Sequence, residues 1–543
     1  MTKNLTTTGF AAFPLRSYEQ VRDELVAGRE IALLDVREED PHAQAHPLFA
    51  AHFAFGRIEV DVYAKLPRRD VAIVVLDGGE GLAAPAAARL RQLGYTDVAL
   101  LHGGVDGWRA AGGELFRDVN VPSKAFGELV ESVRHTPSLS AGAVQALLDA
   151  RADVVILDAR RYDEYHTMSI PGGTSVPGAE LALRVRDIAP DPTTQVIVNC
   201  AGRTRSIIGA QSLINAGVPN PVAALRNGTI GWTLAGQGLE HGQVRRHPPV
   251  TEANRALAAA DARALADRAG VGRIGRGDLA DLCADDSRTT YYFDVRTPEE
   301  YAQGSLPGFR SAPGGQLVQE TEQFAPVRGA RFVLADADGV RANMTGSWLR
   351  QMNHEVFVVD GLAPGDFSTT GGWEAEVAPP PEVAEVDVAT LAGWLDDAPE
   401  RTAVLDFTAG ANYVRRHIPG AWFALRSQLR QVLAGLPAET RRIVLTCGSG
   451  QLARYAAADV KALTPLPARS SIFVLAGGTT AWIAAGGALE HGPSRLASPL
   501  IDRYRRPYEG TDNQAAAMQA YLDWEYGLVA QLARDGTHGF CVL

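Results

Sequence analysis

One interval constrains how this chain can fold. A short apolar strand ending in aspartate occurs four times, as ALLDVR (32–37), VILDAR (155–160), YYFDVR (291–296) and AVLDFT (403–408). A second apolar strand follows each, in VAIVVLD (71–77), QVIVNC (195–200), RFVLAD (331–336) and RIVLTC (442–447). The step from Asp35 to Asp77, from Asp158 to Cys200 and from Asp294 to Asp336 is 42 residues, and from Asp406 to Cys447 it is 41. A register this constant makes Asp77, Cys200, Asp336 and Cys447 four equivalent positions in a repeated unit.

Other landmarks keep the same order. A helical pattern follows each second strand, then a third apolar strand, and three copies place a tryptophan beside small residues in GGVDGW (103–108), NGTIGW (227–232) and GGTTAW (477–482). Copies two and four carry Ile-Pro-Gly between their strands, at 170–172 and 418–420. Copy three has Leu306-Pro307-Gly308 there, and copy one Phe55-Gly56. The strand aspartates recur 123, 136 and 112 residues apart, too far for solenoid repeats, so these are whole duplicated domains. Strands alternating with helices predict an α/β fold, each unit a mainly parallel sheet with helices on both faces. The boundaries expected are 1–122, 123–250, 251–380 with an N-terminal helical linker, and 381–497. A C-terminal extension follows at 498–543, helical after Thr511 and packed back on the body. Segments 119–140, 247–271 and 376–387 read as linkers.

Bulk properties exclude several function classes. The formal net charge of -11 argues against a nucleic-acid binder, because neutralising phosphates needs a basic face. No apolar run approaches the ~20 residues of a membrane span. The N-terminal residues lack the apolar core of a secretory signal. Four cysteines are too sparse for a disulfide framework, so a reducing, cytoplasmic setting is expected. The chain has no CxxC and no Cys/His cluster of zinc spacing, so no metal is expected.

The chemistry concentrates in IVNCAGRTRSIIGA (197–210). In parallel sheets the reactive loop lies beyond the carboxyl end of a strand, which is where Cys200 falls. The following helix N-terminus and loop N–H groups favour an anion, and a thiol there has its pKa drawn down towards neutrality. Arg203 and Arg205 add forked donors suited to an oxyanion. A buried guanidinium without a partner is costly, so the loop is expected to face an anion or solvent. The alternative is a small buried cysteine ending a core strand.

Each unit resembles a rhodanese homology domain, and the chain resembles a tandem four-rhodanese sulfurtransferase. The LD-x-R strand, the I-P-G segment, the CAGRTRS loop and the terminal G-x-x-G-W carry the likeness, which covers the chain to about residue 495. It implies a catalytic Cys200 that takes sulfane sulfur from an anionic donor, becomes a persulfide and passes the sulfur to a thiophilic acceptor. The implied donors are thiosulfate, mercaptopyruvate and glutathione persulfide. The implied acceptors are cyanide or a thiol, thioredoxin and glutathione among them, and no cofactor beyond the cysteine persulfide is implied. Ala201, Gly202, Arg203, Thr204, Arg205 and Ser206 would form the cradle, with the two arginines holding the donor. Arg160 either pairs with Asp158 or reaches the site.

Copy four reads CGSGQLA. Cys447-Gly448-Ser449-Gly450 resembles the mercaptopyruvate sulfurtransferase loop, but Gln451 and Leu452 replace the small pair expected and no arginine follows. Cys447 is either a second catalytic cysteine with another donor or an idle one. Asp77 and Asp336 cannot form persulfides and would repel donor anions, so copies one and three are expected to be structural. A related type of protein phosphatase would need an arginine at position 206, where this chain has Ser206. A non-enzymatic sulfur carrier or partner-binding scaffold is the remaining alternative.

Overall fold

A strand that is apolar on both faces needs helices above and below it, and that demand is met four times over. The computed structural model describes residues 13–463, 470–510 and 512–543. Residues 1–12, where the reading on secretion falls, lie outside them. In unit two the strand order is Ser138–Leu139, Val222–Leu225, Gln195–Asn199, Val154–Asp158, Thr174–Ser175, all parallel. Units one, three and four repeat that order, again with parallel pairs throughout. The chain is α/β, and the second apolar run of each unit is a central strand whose carboxyl end presents the equivalent position.

One pairing crosses between units. Val327–Arg328 of unit three adds antiparallel to Ile31 and Ala32 of unit one, giving that sheet a sixth strand. The apolar core is shared in the same way: Phe55 and Val75 of unit one lie in one buried cluster with Phe126 and with Phe293, Phe332 and Trp348 of unit three.

The segment read as a linker at 119–140 is a structural element of its own. Residues Val121–Arg134 form a helix of 14 residues, continuously buried from Val121 to Glu128. The helix expected in the next linker spans Glu252–Ala269, capped by Thr251 accepting from the Asn254 N–H. The C-terminal extension forms helices Ala515–Tyr526 and Leu528–Asp535. Leu528 and Leu532 pack with Trp108 of unit one, and Tyr521 and Leu522 pack with Ile230 of unit two. Among the described residues, no helix is long and apolar enough to cross a membrane.

Candidate active site

Strand Gln195–Asn199 ends on a buried polar lock. Asp158, at the end of the neighbouring strand, accepts two bonds from the Arg160 guanidinium at 2.9 and 2.7 Å and one from the Asn199 amide at 3.0 Å. Arg160 also donates to the Met168 carbonyl at 2.6 Å. Of its two expected roles, the geometry shows the structural pair, and the same pair recurs as Asp35–Arg37 and Asp294–Arg296. Unit four has Thr408 in that place. Burial there raises the Asp406 carboxyl, and one of its oxygens has no partner.

Cys200 follows the lock and is 1% exposed. Its loop closes against the G-x-x-G-W segment. Gly228 has φ +54°, and a Cβ on it would collide with the Cys200 and Gly202 carbonyls. Gly104 (φ +57°) and Gly478 (φ +62°) pack the same way against Asp77 and Cys447, which is why a glycine stands there in all three. The Cys200 carbonyl accepts from the Thr229 N–H at 2.9 Å, and the Ala201 carbonyl from the Ile230 N–H at 3.0 Å. Helix Thr204–Asn215 begins beyond the loop, its first residue pressed on Gly127 of the buried helix.

The thiol donates to Ser206 Oγ at 3.5 Å. Burial pushes the Cys200 thiol up; Arg205 and hydrogen bonds from Ser206 pull down without reversing it, and the Glu525 carboxylate adds to the push. The lowered pKa expected from the loop position is therefore not seen, because desolvation of the thiolate outweighs the cations beside it.

The two arginines part company. Arg203 is 4% exposed and turns to the buried helix. It grips Glu128 with two bonds of 2.7 and 2.8 Å, pairs with Glu131, and donates to Asn227 Oδ1 at 3.1 Å and the Tyr526 hydroxyl at 3.0 Å. Its expected role at the donor is thus replaced by a structural one, since carboxylates from a sequence-distant helix already engage the fork. Arg205 forms a bidentate pair with Glu164 at 2.7 and 2.9 Å, which holds that carboxyl down at about 2 despite its burial. Arg205 also lines a cavity of about 230 Å³ together with Arg506, Tyr508 and Gln319.

The aspartate units show which loop amides point inward. Asp77 accepts from the N–H groups of Gly79 at 3.0 Å, Leu82 at 2.6 Å and Ala83 at 2.9 Å. In the repeat register those amides correspond to Gly202, Arg205 and Ser206. Asp336 likewise accepts from Gly339 at 3.0 Å and Ala342 at 2.8 Å, the latter again the Ser206 position. Burial and the neighbouring Asp338 raise its carboxyl to about 8. Each aspartate loop thus turns amides inward onto its own acid group.

A family model for the rhodanese-like domain matches residues 17–111, 140–235, 276–361 and 388–485. The chain belongs to the rhodanese-like family. A solved thiosulfate sulfurtransferase from Pseudomonas aeruginosa is similar at 65% identity and a TM-score of 0.95, covering 98% of this chain and 100% of its own. The BH2092 protein of Bacillus halodurans matches at 18% identity over 21% of this chain and 85% of its own, with a TM-score of 0.18. A rhodanese-related protein of Thermoplasma volcanium matches at 19% over 20% of this chain and 97% of its own, with a TM-score of 0.17. No curated protein matches the chain.

The fourth rhodanese-like loop differs from the second in its surroundings. Cys447 is 3% exposed, but Gly448 and Ser449 lie open, whereas the whole Cys200–Arg203 turn is buried. The cover over Cys200 is the C-terminal helix. Tyr521 and Glu525 lie where a Cβ on Gly202 would meet each at 3.2 Å. Glu128, Glu131, Glu164, Tyr521, Glu525 and Tyr526 were not singled out from the sequence. Their trace there is the acidic and aromatic content of 119–140, 161–166 and 515–526.

Proposed function

We propose that this protein is a sulfurtransferase that moves sulfane sulfur from thiosulfate to a thiophilic acceptor through a persulfide on Cys200. The observation that carries the reading is the 65% identity, across 98% of the chain, to a thiosulfate sulfurtransferase. The Cys200 thiol first loses its proton, and the thiolate attacks the outer sulfur of thiosulfate. The new Cys200 S–S bond forms as the S–SO₃ bond breaks, and sulfite leaves with the bonding pair. The acceptor, cyanide or a thiol such as glutathione or thioredoxin, then attacks the outer sulfur, and Cys200 departs as thiolate.

The chain's groups divide the work. Amides equivalent to those that hold Asp77 receive the sulfur anion, and the Arg205 guanidinium adds positive charge that favours the thiolate. The carrier is the cysteine sulfur itself, with no cofactor. All four cysteines are free, which suits a reducing cytoplasm. Mass spectrometry after incubation with thiosulfate tests the reading. Cys200 is expected to gain about 32 Da, one sulfur atom, and the gain to vanish in Cys200→Ser. An unmodified Cys200 would overturn it.

A further inference from the structure

The roof over the Cys200 loop contains an acid with one oxygen left unpartnered. Glu525 sits on helix Ala515–Tyr526 and is 1% exposed. Its Oε1 accepts from the Tyr521 hydroxyl at 2.9 Å, while its Oε2 is buried with no hydrogen-bond partner. That same Oε2 is the atom against Gly202, in the middle of the cysteine loop. A buried carboxylate oxygen with no partner is destabilising, so its position over an anion cradle calls for an explanation. A protonated carboxyl resolves it: one oxygen accepts from Tyr521, and the other carries the single O–H, pointed at the loop.

We propose that Glu525 acts as a neutral acid whose Oε2–H donates a hydrogen bond to the sulfur anion held by the Cys200 loop, so that the C-terminal helix completes the cradle. The proposal rests on the sulfurtransferase reading and adds a residue to its site. Its logic is that of a carboxylic acid kept protonated by an apolar setting so that it can donate to an oxyanion. The charged groups packed against Glu525 pull in both directions. Glu128 on the buried helix repels a charge at Glu525. Lys124 on that helix and Arg203 on the loop attract it, but Lys124 is paired with Asp118 at 2.7 Å and Arg203 with Glu128 and Glu131. Cys200 faces it from the strand end, and Tyr508 packs edge-on to Tyr521 with ring centroids 5.3 Å apart. Burial dominates and raises Glu525 to about 8.

The sign of the pH effect follows. Below about 8 the acid donates to the donor anion; above it the carboxylate repels that anion and holds Cys200 protonated. Glutamine keeps the shape and a donor but carries no charge at any pH. The test is kcat/KM for thiosulfate from about pH 6.5 to about pH 9.5, on the full-length wild type, Glu525→Gln and Cys200→Ser. The ratio of Glu525→Gln to wild type is expected to rise about tenfold or more across that range, whatever its starting level. A ratio flat with pH would overturn the role of Glu525. Activity surviving in Cys200→Ser would instead overturn the persulfide reading, so the two failures are separable. Should Glu525→Gln not fold, calorimetry of thiosulfate binding to Cys200→Ser in two buffers of different ionisation enthalpy decides. Net proton uptake at about pH 8.5 and none at about pH 6.5 supports the proposal, and equal uptake at both overturns it.

Discussion

The second and fourth units share a register, a sheet order and a buried cysteine, yet they build different surroundings for it. The Cys200 turn lies between a buried helix from one side and the C-terminal helix from the other, with Arg205 and Glu525 brought to it. The Cys447 turn is open at Gly448 and Ser449, and the loop brings no arginine. The nearby Arg454 is paired with Glu385 instead. The strand–loop–helix motif therefore delivers a cysteine, a set of amides and, in unit two, the arginines, while the roof comes from a segment outside the repeat. A rhodanese-like unit becomes a candidate site through what the rest of the chain lays over it.

The comparison breaks first at the cysteines. Cys200→Ser is expected to lower thiosulfate–cyanide turnover by a factor on the order of 10³ or more, the loss that follows removal of a nucleophile. Cys447→Ser is expected to change it by less than about twofold. Steady-state rates on the two variants check this, and the reverse pattern would put the chemistry in the open loop.

The next effect is on stability. Arg203→Ala leaves Glu128 buried without its partner, and breaking a buried pair costs about 3–5 kcal/mol. A large drop in Tm with a KM for thiosulfate close to wild type is expected. A rise in KM with an unchanged Tm would return Arg203 to the donor. Arg205→Ala should do the opposite, raising KM about tenfold through loss of charge at the cavity, with a smaller change in Tm.

The smallest effect is on acid stability. The Glu164 carboxyl sits at about 2 against its ordinary 4.5, held there chiefly by Arg205. A depressed carboxyl contributes stability that is complete above its unfolded value and lost as pH falls through the folded one. The wild type should therefore lose more stability than Glu164→Gln between about pH 4.5 and about pH 2, as read by denaturant melts at each pH. Parallel curves would mean that the Arg205–Glu164 pair contributes nothing.

Much of the fold was legible because it is written four times. Strand ends, the tight glycine under the loop and the reactive position all follow from local patterns that recur. Arg203 and Arg205 show where that legibility stops. Both sit in the loop and both look suited to an anion, but their orientation is set by Glu128 and Glu164, 75 and 41 residues away in the chain. Glu128 lies outside the repeated unit, whereas Glu164 lies inside it, and its pair with Arg205 recurs in unit three as Glu300 with Arg341 at the same 41-residue spacing. The raised thiol of Cys200 has a related cause: the loop motif shows the dipole and the cations, while the desolvation that outweighs them depends on the packing around the strand end.

The strand Val327–Arg328 has a consequence for how the protein is made. It closes the edge of the first sheet at Ile31 and Ala32. During synthesis that edge stays uncovered while close to three hundred further residues leave the ribosome, units two and three among them. An open strand edge is a template for pairing with other chains. The first unit thus waits for a strand made long after its own, and a ribosome stalled before residue 328 releases a chain whose first sheet has a raw edge.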